Sequence, residues 1–422
     1  MKISPSFDLA IIGGGMVGAS FAALLNTLRP DWHIVLIESH PMARGDDQSP
    51  TLYQPSFDAR STALASGSVD ILRSAGLWEK LKAQACAIEQ VHVSDRGLPG
   101  GTLIDAKEFG LPAVGQVLEN AWMGRVLLSH LQTLENVTVL APVTVKALTP
   151  IKGAAKLTLE DGSGVQSTQV RLAVIADGGD SPLRKRLGIG TRVEDYRQHA
   201  IISNVGFDQD HNNIAYERFT DEGPMALLPL RPFEGRQRSA LVWTVPSRQS
   251  EEVLALPEEV FARRLQDRFG FRRGLVCSVG TRSAYPLQLT EACEQVRSNL
   301  VLLGNAAHFL HPVAGQGFNL ALRDCANLCA VLAAHPKEVM GNIETLQAYE
   351  KGQALDQQAT ISFSDSVTKV FSRSDLPLSV LRQLGFLGLE LLPPGKALFS
   401  RQSMGRAGVQ AYSAAIAKRG TR

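Results

Sequence analysis

Residues 7–38 read FDLAIIGGGMVGASFAALLNTLRPDWHIVLIE, an apolar run, a glycine cluster, a helical pattern and a second apolar run closed by an acid. This order predicts a complete βαβ unit at the start of the chain. Gly13, Gly15 and Gly18 fit the pattern G-x-G-x-x-G, which permits a tight turn, close approach of a pyrophosphate and close helix–strand packing. Glu38 follows about twenty residues later, where a carboxylate accepts hydrogen bonds from a ribose. The stretch therefore predicts a dinucleotide-binding α/β domain.

Two further strand–loop–helix junctions lie far downstream. In residues 174–184 an apolar run ends at Asp177-Gly178, and a helix begins after a Ser-Pro cap. In residues 303–324 a glycine-containing loop precedes a long helical pattern, which again predicts an anion-binding helix N-terminus. Three such junctions in one chain could converge on one extended cofactor.

The middle of the chain changes character. Residues 200–285 contain short alternating runs separated by turn residues, which predicts an antiparallel sheet. Within it, residues 251–269 predict one charged helix and residues 277–285 one strand. The tail from residue 343 onward has helical patterns. A nicotinamide dehydrogenase would instead continue with further parallel βα repeats.

Composition excludes several classes of protein. The chain has 422 residues, 43 Lys and Arg, 41 Asp and Glu, a formal net charge of +2 and 44% hydrophobic residues. These values argue against global disorder and against a nucleic-acid partner. Five cysteines without paired spacing argue against a disulfide framework, and no His or Cys set indicates a metal site. The first residues lack the features of a signal peptide. We therefore expect a cytoplasmic chain and leave a peripheral position at the inner membrane open.

On these motifs the chain resembles the class A FAD-dependent aromatic hydroxylases of the para-hydroxybenzoate hydroxylase type. Within them it is similar to the ubiquinone-biosynthesis hydroxylases, whose signature matches HPVAGQGFNLALRD at residues 311–324. The resemblance implies bound FAD, NADPH or NADH as reductant, O₂ as co-substrate, and hydroxylation through a flavin C4a-hydroperoxide. Asn305 stands where the wider family has Asp. Asn at this position is typical of the 2-polyprenyl-6-methoxyphenol hydroxylase branch. Ala321 departs from the subgroup, which has Gly there.

The resemblance also implies a set of site residues. It assigns cofactor binding to Gly13, Gly15, Gly18, Glu38, Arg60, Arg125, Asp177, Gly304, Asn305, Gly315, Gln316, Gly317 and Asn319. It places Pro312, Gly315 and Gln316 beside the flavin ring, and we assign no catalytic residue. Arg60 would reach toward the cofactor phosphates or be a surface arginine. Arg125 would contact FAD or be a solvated helix residue.

Other polar residues remain candidates outside that set. His199 and Tyr216 flank predicted strands of the substrate domain and are candidates for handling a phenolic proton. His308 and His311 have no third ligand arranged for a metal; we expect them to pack the flavin loop, with a catalytic hydrogen bond as the alternative. The apolar segment 376–392, followed by basic residues, predicts either a helix at an anionic lipid surface or a helix packed on the core.

We therefore predict an α/β fold: a discontinuous Rossmann-like FAD-binding domain, an antiparallel β-sheet substrate domain and C-terminal helices. The FAD-binding domain would comprise residues 1–85, 120–190 and 290–345, and the substrate domain residues 86–119 and 191–289. Residues 346–422 would form the helical region.

The predicted function is ring hydroxylation of a polyprenyl phenol, 2-polyprenyl-6-methoxyphenol, in ubiquinone biosynthesis. Expected partners are this phenol, O₂, a membrane surface and a multiprotein biosynthetic complex. The alternatives are hydroxylation at a neighbouring ring carbon, hydroxylation of a soluble phenol, a flavin reductase or dehydrogenase without oxygen insertion, and a non-enzymatic flavin-binding scaffold.

Overall fold

The computed structural model describes residues 6–42, 58, 60–96, 101–310, 315–371 and 409–420. In chain order the strands are β1 Ser6–Ile12, β2 Ile34–Ile37, β3 Ser61–Ala65, β4 Cys86–Ile88, β5 Gln90–Asp95, β6 Thr102–Asp105, β7 Gly115–Glu119, β8 Val137–Leu140, β9 Thr144–Ile151, β10 Ala154–Asp161, β11 Gly164–Ile175, β12 Thr191–Phe207, β13 Ile214–Thr220, β14 Gly223–Phe233, β15 Arg236–Pro246, β16 Val276–Val279, β17 Ser283–Ala292, β18 Val296–Arg297, β19 Leu300–Leu302 and β20 His308–Phe309. The α-helices are α1 Met16–Leu28, α2 Ser66–Ser74, α3 Trp78–Leu81, α4 Asn120–Leu131, α5 Pro182–Arg186, α6 Ser250–Ala255, α7 Glu258–Phe269, α8 Gln316–Ala333, α9 Ile343–Phe371 and α10 Val409–Gly420.

The first sheet is built around parallel strands in the order β19-β11-β1-β2-β8. β18 joins one edge antiparallel to β19, and the β9–β10 hairpin pairs with the long strand β11. Leu9 and Ile11 of β1 belong to one buried cluster, and Ala10 and Ile12 belong to another. A strand that is apolar on both faces is typical of a parallel sheet covered on both sides.

The second sheet has nine strands in the order β20-β17-β12-β15-β14-β13-β5-β6, with β16 beside β12. Its strand pairs are antiparallel except β13 and β5, which pair in parallel. One face, which we call the outer face, carries Ile201 and Trp243 and packs against α7 through Phe261 and Leu265. Alternate residues point the other way and form the inner face.

A small third sheet lies against the inner face. Its strands are in the order β3-β7-β4 and are antiparallel. Ile88 and Val117 of this sheet share a buried cluster with Ala215 and Ala240 of the inner face. The third sheet therefore connects the parallel sheet's helices to the nine-stranded sheet.

Helices α1 and α8 pack together beside the parallel sheet. Phe21 and Leu25 of α1 are fully buried in the same cluster as Leu328 and Leu332 of α8. The C-terminal helix α10 joins this layer, and the Tyr412 hydroxyl donates a 2.9 Å hydrogen bond to the Leu24 carbonyl oxygen.

The α/β class predicted from the sequence is confirmed. Two local predictions were wrong. The single helix expected over residues 251–269 is two helices, because Pro257 separates α6 from α7. The single strand expected over residues 277–285 is split between β16 and β17.

The candidate lipid-surface segment 376–392 lies outside the described residues. Among the helices that the structure describes, none combines the length and apolar composition needed to cross a bilayer.

Candidate functional site

Four strands of the parallel sheet end side by side at one edge. Ile12 is in register with Ile37 and with Ile175, and Ile175 is in register with Leu302. The residues that follow these strands therefore meet at the carboxyl edge of the sheet, where α/β proteins bind ligands. They include all three junctions predicted from the sequence.

The first junction, the loop after β1, is a glycine cradle. Gly13 has a φ of +105°, and a Cβ on it would lie 2.3 Å from the Ala176 carbonyl oxygen. A Cβ on Gly18 would lie 1.9 Å from the Gly13 carbonyl oxygen, so the first turn of α1 packs directly on the loop. Gly15 is the N-cap of α1 and supplies no side-chain cap. The N–H groups of this turn are thus suited to an anion such as a pyrophosphate.

Glu38, at the end of β2, is a buried carboxylate fixed to that loop. Its Oε2 accepts a 2.7 Å hydrogen bond from the Gly14 N–H, and its Oε1 accepts one of 2.8 Å from the His40 N–H. Burial opposes ionisation of this carboxyl, but the hydrogen bonds from His40, Gly14 and Ser39 outweigh burial and hold the pKa of Glu38 below its usual value. The group is therefore an anionic acceptor beside the first helix N-terminus.

Asp177, in the second junction after β11, faces the first loop. Its Oδ1 is buried and has no hydrogen-bond partner in the structure. Burial raises the pKa of Asp177, against the lowering effect of a hydrogen bond with Ser181. A Cβ on the neighbouring Gly178, which has a φ of +96°, would meet nothing within 4 Å. An acceptor with an unused oxygen next to open space suits a ligand hydroxyl.

The third junction begins after β19. Gly304 has a φ of +60°, and a Cβ on it would lie 2.8 Å from the Val17 side chain, so this loop packs on α1. Asn305 is exposed on the same turn. His308 is half-buried, both of its ring nitrogens are buried without a hydrogen-bond partner, and burial lowers its pKa to about 4. The imidazole is therefore neutral at pH 7.

The N-terminus of α8 lies next to the third sheet. Gly315 is its N-cap in the left-handed conformation, Gln316 is buried, and a Cβ on Gly317 would meet nothing within 4 Å. A Cβ on Gly315 would lie 3.4 Å from the Ala63 side chain of the third sheet. The predicted flavin-side residue Pro312 lies outside the described residues.

Asn319 uses its whole amide within the protein. Its Oδ1 accepts hydrogen bonds from the Ala65 N–H (2.8 Å) and the Ser68 hydroxyl (2.7 Å). Its Nδ2 donates to the carbonyl oxygens of Ala63 (2.8 Å) and Gly315 (2.7 Å). A side-chain amide has two donors and one oxygen with two lone pairs, so a direct contact with a cofactor would have to replace one of these bonds.

The two predicted arginines each lie over an aromatic ring in the structure. Arg60 Nε is 2.7 Å from Asp58 Oδ2, and its guanidinium carbon lies 4.7 Å from the ring centroid of Tyr285. The Tyr285 hydroxyl donates a 3.2 Å hydrogen bond to Asp58. Arg125 is exposed on α4, with its guanidinium carbon 5.9 Å from the ring centroid of Trp122.

Sequence reasoning missed Asp58 and Tyr285. The spacing of Asp58 and Arg60 was visible, but nothing in the sequence marked Tyr285. The two proton-handling candidates it named lie on the outer face instead. The Tyr216 ring packs edge-on against Phe269 at 5.7 Å, and His199 is in register with the core residue Val245.

The residues at the carboxyl edge fit a dinucleotide such as FAD. The glycine cradle leaves no room for side chains, Glu38 is an ionised acceptor, and Asp177 has a buried oxygen without a partner. Within the described part of the chain, no group of three or more His, Cys, Asp or Glu side chains could hold a metal ion.

Comparisons with known proteins agree with this reading. A family model described as "FAD binding domain" matches residues 6–364. Ubiquinone hydroxylase UbiL of Rhodospirillum rubrum is 35% identical over 94% of this chain and 89% of its own length. The 3-demethoxyubiquinol 3-hydroxylase of Escherichia coli is 30% identical over 91% of this chain and 94% of its own length.

Among solved structures, p-nitrophenol 4-monooxygenase PnpA from Pseudomonas putida has a TM-score of 0.75 at 17% identity. The match covers 95% of this chain and 99% of PnpA. At this identity the likeness establishes the fold.

Proposed function

The chain belongs to the FAD-binding family that includes the ubiquinone hydroxylases, and from this premise we propose that it hydroxylates the aromatic ring of a polyprenyl phenol in ubiquinone biosynthesis. It is a FAD-dependent monooxygenase with NAD(P)H as co-substrate. One observation supports the proposed reaction above all. The three strand–loop–helix junctions, which are suited to anions and hydroxyl groups, meet at one edge of the parallel sheet, next to the apolar inner face of the nine-stranded sheet.

FAD, when bound, supplies the activation of O₂ and the transfer of one oxygen atom to the ring. The protein's own residues hold and orient it. The N-terminus of α1 would bind the pyrophosphate, and Glu38 would accept a hydrogen bond from the adenosine ribose. Asp177 and Asn305 offer acceptors to further hydroxyls. Gly315 and Gly317 have no side chains, so a flat ring system could lie against the backbone at the N-terminus of α8.

The inner face of the nine-stranded sheet is the proposed surface that contacts the aromatic ring of the substrate. Val242 pairs with Ile202 on one side and with Ala226 on the other, and all three are half-buried. Ala63 contacts both this face's cluster and the Gly315 position. An apolar wall next to the flavin side would hold an aromatic ring and exclude water from it.

Tyr285 is the proposed proton-handling group. It is in register with Ala200, one strand position from Ile201, which packs on the outer face, so its side chain points to the inner face. Its hydroxyl donates to Asp58, so when the proton of a bound phenol moves to the Tyr285 oxygen, the Tyr285 proton passes to the Asp58 carboxylate. Arg60 forms an ion pair with Asp58 and covers the Tyr285 ring. A phenol that gives up its proton becomes a more electron-rich ring, which favours oxygen transfer.

The proposed substrate is 2-polyprenyl-6-methoxyphenol. Support comes from Asn305, which stands on the exposed turn beside the cofactor loops where the resemblance ties Asn to that branch. Hydroxylation at a neighbouring carbon is the second candidate, because one of the similar proteins is named a 3-demethoxyubiquinol 3-hydroxylase.

The test is a coupled assay with the FAD-loaded protein, NADH or NADPH, O₂ and a short-prenyl 2-polyprenyl-6-methoxyphenol. We expect a product one oxygen atom heavier than the phenol, formed in step with NAD(P)H consumption. Hydrogen peroxide without product would instead indicate a reductase, and no turnover a scaffold. Equal turnover of a prenyl-free phenol would indicate a soluble-phenol hydroxylase. Ring-position assignment by NMR separates the two candidate carbons.

The domain division follows from the proposed roles. We propose that residues 1–85, 120–190 and 290–345 bind FAD, that residues 86–119 and 191–289 bind the phenol, and that residues 346–422 form the helical region.

A further inference from the structure

Arg218, on the outer face of the nine-stranded sheet, is a half-buried cation without a bonded counter-ion. Its guanidinium makes no hydrogen bond or ion pair with any residue that the structure describes, and its Nε is buried. Burial lowers its pKa, and the nearby Arg272 and Arg96 lower it further. Such a group is costly unless an anion compensates it.

More positive groups surround Arg218. Strand register places Arg218 beside Ser94 and Tyr216 beside His92, so Arg218 and His92 share the outer face. Arg272 lies 3.0 Å from the His92 Nε2. Arg96 follows β5 at the same edge. Burial, with help from Arg272, lowers the pKa of His92, so the ring accepts from Arg272 without adding charge.

The nearby acids are largely engaged elsewhere. Asp221 is bonded to Arg96 (3.2 Å) and to Arg268 (3.0 Å), and Glu222 is bonded to Arg268. Asp95 raises the pKa of Arg218 without forming an ion pair with it. Arg218 and Arg272 therefore have no ion-pair partner among the residues that the structure describes at this edge.

Large apolar side chains lie exposed next to these charges. Phe271 precedes Arg272 and is 68% exposed. Leu103 pairs with His92 on the neighbouring edge strand and is 38% exposed. Exposed aromatic and aliphatic groups beside arginines suit the boundary between lipid headgroups and acyl chains.

We propose that Arg218, Arg272, Phe271 and Leu103, which we call the edge patch, bind the surface of a bilayer containing anionic phospholipid. The guanidinium groups bind lipid phosphates, and Phe271 and Leu103 enter the interface. The edge patch consists only of residues that the structure describes, and it does not include the segment 376–392. Its purpose rests on the proposed function, since a polyprenyl phenol resides in the bilayer.

The test is co-sedimentation of the FAD-loaded protein with vesicles of equal parts phosphatidylglycerol and phosphatidylcholine. In the variant Arg218→Gln/Arg272→Gln we expect vesicle binding to fall about 25-fold, from about fivefold for each arginine near an anionic surface. Phe271→Ser should weaken binding as well. FAD content and melting temperature check that each variant is folded.

A matched control removes the same charge elsewhere. Arg236→Gln/Arg248→Gln removes two exposed arginines from the same part of the chain, and Phe233→Ser removes another exposed aromatic side chain. We expect vesicle binding of these controls to stay within about twofold of the parent (about 0.4 kcal/mol), because none of these side chains belongs to the edge patch.

Two outcomes would overturn the proposal: unchanged binding of the edge-patch variant, or a parent protein that ignores anionic vesicles. Displacement from vesicles by millimolar inorganic phosphate would also overturn it, because the site would then take free phosphate. Hydroxylation of a short-prenyl phenol in solution does not need the patch. If hydroxylation succeeds while vesicle binding fails, only the edge-patch proposal is refuted. If vesicle binding succeeds while hydroxylation fails, only the proposed function is refuted.

Discussion

Gly18 lets α1 approach the first loop, because a Cβ on it would lie 1.9 Å from the Gly13 carbonyl oxygen. In Gly18→Ala the helix must move, so we expect loss of FAD and a destabilisation of about 1–3 kcal/mol, as for overpacked sites. Gly162→Ala is the control, since a Cβ there meets nothing within 4 Å. The visible flavin spectrum and thermal melts measure both effects. A Gly18→Ala protein that keeps its flavin would contradict this account of the cradle.

Glu38 should stabilise the fold as an ionised group. Its pKa is lowered on folding from a usual value of 4.5, so its contribution is present above that pH and is lost as pH falls through the folded pKa. We expect Glu38→Gln to cost about 1–3 kcal/mol at pH 7, because hydrogen bonds to a charged acceptor weaken. Urea unfolding at pH 7 and at lower pH measures this cost. A cost that does not shrink on acidification would show that charge is not the cause.

At the residue scale, the sequence revealed contacts that act within a short motif. The glycine pattern and Glu38 lie in one βαβ unit, so their spacing alone indicates their geometry. Asp58 and Tyr285 are 227 residues apart in the chain, and their contact depends on how two sheets meet. No local pattern encodes such a pair.

Asn319 links helix α8 to the third sheet through hydrogen bonds with Ala63 and Ala65. We expect Asn319→Ala to destabilise the protein by about 2–4 kcal/mol, because the N–H of Ala65 and the carbonyl oxygens of Ala63 and Gly315 lose a partner. Asn319→Asp keeps both acceptor bonds and loses both donor bonds, so its cost should be intermediate.

Thermal melts of the FAD-free and FAD-loaded forms separate two roles of Asn319. A positioning role predicts a drop in both forms. A drop confined to the FAD-loaded form would show that Asn319 contacts the cofactor directly.

The interface between α8 and α9 contains a buried acid whose charge should matter. Burial raises the pKa of Asp324 to about 7, although the hydrogen bond from Gln357 and the charge of Arg323 oppose this. Between the usual value of 3.8 and about 7, the folded state keeps a proton that the unfolded state loses. Stability therefore falls as pH rises through this window.

Asp324→Asn removes that dependence. We expect the variant to gain stability relative to the parent between pH 5 and pH 8, as measured by urea unfolding at each pH. A constant difference across this range would mean that Asp324 is ionised throughout. Gln357→Leu, which removes the donor to Asp324, should raise the folded pKa further and extend the fall in stability to higher pH.

Elements with strong periodicity were predictable, and short ones were not. The βαβ unit and α8 are long apolar patterns, and both lie where the sequence indicated. The third sheet is built from three-residue and five-residue strands, β4, β3 and β7, far apart in the chain. Such strands are defined by their neighbours rather than by their own composition.

At the scale of the whole molecule, the α/β class and the antiparallel sheet were predictable, but the meeting of the two sheets was not. The parallel pairing of β5 with β13 brings β5 and β6, from the first quarter of the chain, to the edge of a sheet formed mostly by later strands. It also creates the edge patch.

The contact between the two halves of the molecule should control the outcome of the reaction. In Tyr285→Phe the ring that Arg60 covers remains, and the hydroxyl bonded to Asp58 is lost. We expect normal FAD content and continued NAD(P)H oxidation. Hydroxylated product per NAD(P)H should fall about tenfold or more, since loss of a proton-handling group typically costs at least that much.

The pH profile distinguishes proton handling from structure. If Tyr285 accepts the phenol proton, product formation by Tyr285→Phe should recover at high pH, where the phenol ionises without help. Tyr216→Phe is the matched control, because that ring packs on Phe269 at the outer face and should leave coupling unchanged. A Tyr285→Phe defect that is equal at every pH would show that the hydroxyl only holds Asp58 and Arg60 in place, and the proton would then have to leave by another group on the inner face.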